Sequence, residues 1–94
     1  MANAVIYYKL DDNESTKQAV PRVNALIEQL QTPHVIRGVY IDLPGSSNEL
    51  MELLNSSLTE IDIIYVNKEI EDEFDITLIS ELSRRDHFEV ILLD

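Results

Sequence analysis

A chain of 94 residues with 45 % apolar side chains can bury one modest core and has no room for a second, so residues 1–94 are read as one domain. Eighteen acids against seven bases set the net charge at −11, and the bases (Lys9, Lys17, Arg22, Arg37, Lys68, Arg84, Arg85) are too scattered to neutralise a phosphate backbone, which argues against autonomous nucleic-acid binding. The lack of cysteine excludes disulfides, thiolate metal sites and a cysteine nucleophile.

The first apolar run, Val5 to Leu10, predicts a buried strand that ends Tyr7-Tyr8-Lys9-Leu10-Asp11. The polar cluster Asp11-Asp12-Asn13-Glu14-Ser15 follows it. Val23, Leu26, Ile27 and Leu30 recur at i, i+3, i+4 and i+7, one face of a helix over residues 15–31. Its start is placed between Thr16 and Val20, with Pro21 either in the first turn or kinking a longer helix. Val35 to Leu43 is β-branched and aromatic, a second strand in which Gly38 marks a bulge or a close backbone approach. Pro44-Gly45-Ser46-Ser47 reads as a loop, and Ser47 or Asn48 caps a short helix carrying Leu50, Met51, Leu53, Leu54 and Leu58. Ile61 to Val66, broken only by Asp62, is the third strand. A helix over 71–85 turns Phe74, Leu78, Ile79 and Leu82 inward, and Phe88 to Leu93 forms the fourth strand.

The order β-α-β-α-β-α-β predicts an α/β fold of three layers: a mainly parallel four-stranded sheet, right-handed crossovers, and helices on both faces. In open sheets of this kind, ligands gather beyond the carboxyl ends of the strands. Lys9, Asp11 and Asp42 stand at such ends. His34 and His87 precede strands at the opposite end and read as surface histidines. No spacing such as His-x-x-x-His occurs, so neither a metal nor another cofactor is expected. No apolar run approaches the roughly 20 residues of a membrane span, and Met1-Ala2-Asn3-Ala4 is not a basic leader. The expectation is a soluble, cytoplasmic chain without a membrane partner.

The main compositional oddity is Glu69-Ile70-Glu71-Asp72-Glu73-Phe74-Asp75, five acids in seven residues. An acidic first turn favours the helix macrodipole, and the same tract is a candidate surface for a basic protein. A divalent cation there would need oxygen ligands from other segments as well. Pro44-Gly45-Ser46-Ser47, opening a helix, could hold an anion, but it lacks the glycines and lysine of a phosphate-binding loop.

Several segments follow one another in an order that resembles the catalytic domain of serine recombinases, the resolvase/invertase family. They are Tyr7-Tyr8-Lys9-Leu10-Asp11, Val23-Asn24-Ala25-Leu26-Ile27, Val39-Tyr40-Ile41-Asp42 with Gly45-Ser46-Ser47, the Leu-rich segment to Leu58, and Ile61-Asp62-Ile63-Ile64-Tyr65-Val66. In that family the first strand carries Tyr-x-Arg-x-Ser; the serine attacks a DNA phosphate, and arginines neutralise the developing charge. The resemblance sets Lys9 on the arginine, Asp11 on the serine and Asp42 on an acidic residue, with Ser46 and Ser47 in a mobile loop. Where a further arginine would follow that loop, Asn48-Glu49-Leu50-Met51 stands, and Lys68-Glu69-Ile70-Glu71-Asp72-Glu73 replaces an arginine-bearing stretch. What the resemblance implies is therefore a dismantled site with no catalytic residue. The family's long dimerising helix and helix-turn-helix domain are not among these 94 residues.

The functional expectation is a catalytically inactive, stand-alone resolvase-like domain, a pseudo-enzyme acting as a protein-interaction or regulatory module. It would work with a protein partner or as a homo-oligomer, with Glu69, Glu71, Asp72, Glu73 and Asp75 as the candidate contact. Two alternatives stay open. One is a small Mg-dependent or phosphate-handling enzyme using Asp11, Asp42 and Lys9; the other is an accessory subunit that modulates an active DNA recombinase.

Overall fold

The computed structural model describes residues 2–93. Its elements are β1 (Ala2–Lys9), α1 (Thr16–Leu30), β2 (His34–Asp42), α2 (Asn48–Leu54), a 3-10 turn (Leu58–Glu60), β3 (Ile63–Val66), α3 (Glu73–Asp86) and β4 (Glu89–Leu92). The four strands form one sheet in the order β2-β1-β3-β4, parallel throughout. The α/β expectation therefore holds.

Side-chain alternation along β1 explains the three layers. Ala4, Ile6 and Tyr8 pack against Val23, Leu26, Ile27 and Leu30 of α1 on one face. Val5 and Tyr7 pack against Leu50, Leu53, Leu54 and Ile79 of α2 and α3 on the other. Leu50 and Leu53 are almost wholly buried, and each contributes on the order of 2 kcal/mol by leaving water. Because β1 leads to α1 on one face and β3 to α3 on the other, the chain reverses direction across the sheet between β1 and β3. Ligand crevices of doubly wound sheets open at such a point.

Local chemistry sets the boundaries. Ser15 accepts from the Gln18 amide while the Gln18 side chain accepts from the Ser15 amide, a capping box that starts α1 at Thr16. Pro21 lies inside this helix, beyond the first turn, so the Lys17 carbonyl loses its usual amide partner. At Gly38 the register shifts, Ala4 facing Ile36 and Val5 facing Gly38, so the glycine does mark a bulge. Ser46 N–H closes a turn onto the Leu43 carbonyl at 3.1 Å, with Pro44 second and Gly45 at φ +76° third, the residues a type II turn prefers.

Four expectations need correction here. The second helix ends at Leu54, so Leu58 lies in the 3-10 turn rather than on that helix. The third strand begins at Ile63, because Ile61 closes the 3-10 turn onto the Leu58 carbonyl; Asp62 bonds the backbone of Asn3 and Glu89 and turns its carboxylate onto the Asn3 amide at 2.7 Å. Phe74 is 67 % exposed, since the first turn of α3 lies next to the strand ends with no sheet face to cover it. His34 is half-buried against Tyr65, whose hydroxyl is 2.6 Å from Nε2.

Candidate functional site

A crevice of about 460 Å³ opens beyond β1 and β3, where the chain switches faces. Its walls come from the end of β1, the loop after β2, and the loop between β3 and α3. Lys9, Ser47, Glu69, Glu71, Asp72 and Asp75 all line it, so residues from two separate sequence predictions share one concavity. Asp11, Asp42, Ser46 and Glu73 do not line it.

Asp42, at the end of β2, is 2 % exposed. One oxygen accepts from the Tyr7 hydroxyl at 2.6 Å and from the Leu50 amide at 3.1 Å; the other accepts from the Glu49 amide at 2.9 Å. The carboxylate thus occupies the N-terminus of α2, where orphan amides and the helix dipole favour an anion. That overturns the expected cap, because neither Ser47 nor Asn48 caps α2 through its side chain. Burial, then the bond to Asp42 and the charges of Asp42 and Asp75, push the Tyr7 hydroxyl well above its ordinary ionisation range.

Ser47 instead donates to Asp75 at 2.5 Å, and Asp75 is the other buried charged residue among those described. Asp75 lies in the first turn of α3, whose N-cap is Asp72, accepting from the Asp75 amide at 3.1 Å. The acidic tract is therefore divided in its duties. Asp72 and Asp75 are committed to the helix start and to Ser47, whereas Glu69, Glu71 and Glu73 are exposed. Ser46 accepts only a long contact from the Asn48 amide, at 3.4 Å.

Asp11, by contrast, is exposed and pairs with Lys68, whose ammonium is 3.0 Å away and also reaches the Leu10 carbonyl at 3.4 Å. Lys9 is half-buried, with no ion-pair partner among the described residues. Two lysines of the crevice, Lys9 and Lys68, face five carboxylates: Asp12, Glu69, Glu71, Asp72 and Asp75. The resulting field opposes a phosphate. The residues considered for Mg²⁺ do not converge either, Asp42 pointing into α2 and Asp11 toward Lys68. Among the described residues no group of three or more His, Cys, Asp or Glu is placed to hold a metal ion.

Two residues that shape the site carry no signal in periodicity. Asn67 accepts from the Lys9 amide at 2.8 Å and donates to the Lys9 carbonyl at 2.9 Å, imitating one more rung of the β1–β3 ladder at the strand ends. Glu14 accepts from the Tyr8 hydroxyl at 2.6 Å and from the Asp11 amide at 3.0 Å, and also pairs with Arg22. The bond from Tyr8 is the main reason its carboxyl is held below the ordinary range. An asparagine directly after a buried strand is the one clue that could have pointed to Asn67.

No family model matches the chain, and searches of curated proteins and of solved structures return no match.

Proposed function

We propose that this chain is a non-catalytic protein-interaction module built on a resolvase-like α/β domain. The observation that carries the reading is the distribution of exposed apolar side chains. Of the seven large ones among the described residues, Val20, Val35, Leu43, Phe74, Ile76, Val90 and Leu92, four belong to α3, in which the acidic tract ends, and to β4 after it. Apolar surface rimmed by charge is typical of surfaces that meet another protein. The crevice supports the same reading from the other side: Asp11, Asp42 and Asp75 each hold an internal partner, and the carboxylate wall repels the substrates of phosphoryl transfer. The ancestry rests on the sequence resemblance alone.

The test is turnover. Purified protein is incubated with duplex DNA and with simple phosphoesters, with and without Mg²⁺, beside an Asp11→Ala variant. The expected result is no strand cleavage, joining or hydrolysis above buffer. Turnover that Asp11→Ala abolishes would overturn the proposal in favour of a carboxylate-dependent enzyme.

A further inference from the structure

We infer that the outer edge of β4 receives an extended, basic segment of a partner protein, which adds to the sheet as a fifth strand. This names the partner class for the interaction-module reading and rests on it. Among the described residues β4 pairs with β3 alone. Its Glu89 amide donates to the Asp62 carbonyl at 2.9 Å and its neighbour Leu93 to the Val66 carbonyl at 2.8 Å. In a parallel ladder alternate residues bond to the same neighbour, so residues 89, 91 and 93 face β3, and Val90 and Leu92 turn their N–H and C=O groups outward.

The same two residues carry the exposed apolar side chains. Val90 and Leu92 are opposite Ile64 and Val66, on the α3 face, and remain 38 % and 45 % exposed. With Ile70, Ile76 and Ile79 they line a groove of about 600 Å³. A strand laid along β4 would satisfy the open backbone groups and bury these side chains in one step, as in strand-addition recognition.

The other sheet edge lacks this combination. β2 is interrupted by the bulge at Gly38, with the exposed cation Arg37 beside it, two devices that blunt an edge. β4 contains neither a bulge nor Lys, Arg or Pro.

Charge selects the occupant. Glu69 lines the groove, Glu89 is exposed at the start of β4, and Glu73 lies one helical turn from Ile76 on the same row of α3. Arg84, further along that row, is already paired with Glu81 at 3.1 Å. A second copy would bring another net charge of −11 to this edge, whereas a segment alternating lysine with apolar residues is attracted to it.

The probe is a capped octapeptide alternating Lys and Val, titrated into ¹⁵N-labelled protein, with a Glu/Val octapeptide as control. Shifts are expected at Val90, Ile91 and Leu92, with hydrogen-exchange protection of the Val90 and Leu92 amides rising on the order of tenfold. Added salt should weaken the response. Leu92→Pro removes one outward donor without touching the β3 ladder and should abolish binding. If that variant does not fold, the Val90→Thr, Leu92→Thr pair, which keeps the backbone, should weaken binding instead. Equal response to the acidic peptide, shifts confined to Lys9, Ser47 and Asp75, or no shift at all would overturn the proposal. Protection of Val90 and Leu92 that rises with protein concentration alone would assign the edge to a second copy and overturn it too. None of these outcomes involves turnover, so the broader module reading stands or falls separately.

Discussion

The crevice above the strand ends and the groove beside β4 share a wall, the loop residues Glu69 and Ile70, yet they differ in what they leave unused. At the crevice end of the sheet the buried polar groups are spent on the fold: Asp42, which does not line the crevice, holds Tyr7 and the start of α2, and Asp75, on its wall, holds Ser47. In the groove the reverse holds. Among the described residues, the backbone groups that Val90 and Leu92 turn outward have no neighbouring strand, and their side chains stay partly exposed beside Ile64 and Val66. The contrast teaches that carboxylates at the reactive end of a parallel sheet are not evidence of chemistry. A helix N-terminus supplies the same amides to an internal carboxylate that it would supply to a bound anion.

The sharpest way to break this comparison is to remove Asp42. Asp42→Ala leaves a buried tyrosine hydroxyl and two α2 amides without an acceptor, and should lower stability by about 3–5 kcal/mol. Urea denaturation measures it. A loss below about 1 kcal/mol would mean that the carboxylate is not a structural anchor, and would return it to the list of candidate reactive groups. Asp42→Asn, which keeps one acceptor, should fall between the two.

Next in size is Tyr7→Phe, expected to destabilise by about 1–2 kcal/mol because one bond to a buried carboxylate is lost. The same pair sets an alkaline limit. Burial first, and Asp42 second, raise the Tyr7 ionisation above that of an unfolded tyrosine, near pH 10. The contribution is therefore fully present below about pH 10 and lost as pH rises beyond it toward the folded value. Tyrosine absorbance followed together with circular dichroism should show late ionisation coupled to unfolding, and Tyr7→Phe should flatten the decline. Four tyrosines ionising reversibly near pH 10 in a folded chain would contradict the burial of this cluster.

What was legible in the sequence follows from which interactions are local. The 3.6-residue spacing of Val23 to Leu30, the apolar runs and Gly38 report on backbone geometry and on one face at a time, so element order and layers could be read directly and Gly38 narrowed to a bulge or a close backbone approach. The role of Asp42 could not, because its partners are Tyr7, 35 positions away, and the amides of a helix whose start looked adequately capped by Ser47 or Asn48. Once Asp42 fills that terminus, Ser47 is free to bond Asp75 across 28 positions. Phe74 failed for a related reason: periodicity places it on the row of Leu78 and Leu82, but nothing in the spacing shows where the sheet beneath that row ends.

On the groove side the expected stability effects are smaller, and that is the point of measuring them. Val90→Thr keeps the branched shape of a half-exposed edge residue and should change stability by no more than about 0.5–1 kcal/mol. A much larger loss would show Val90 to be core, sealing the groove from within rather than offering it to a partner.

The smallest effect is expected at the position that first resembled a nucleophile. Asp11 and Lys68 form an ion pair with side chains 67 % and 40 % exposed, where water and salt screen the attraction and two mobile side chains must be ordered to make it. Asp11→Ala should therefore change stability by at most about 0.5 kcal/mol, with the difference fading in salt. Lys68 would keep its long contact to the Leu10 carbonyl, so the β1–β3 junction need not open. A salt-insensitive loss above about 1.5 kcal/mol would mean that the pair organises both crevice loops. The contrast between crevice and groove would then sharpen, because Asp11 would join Asp42 and Asp75 as part of the frame.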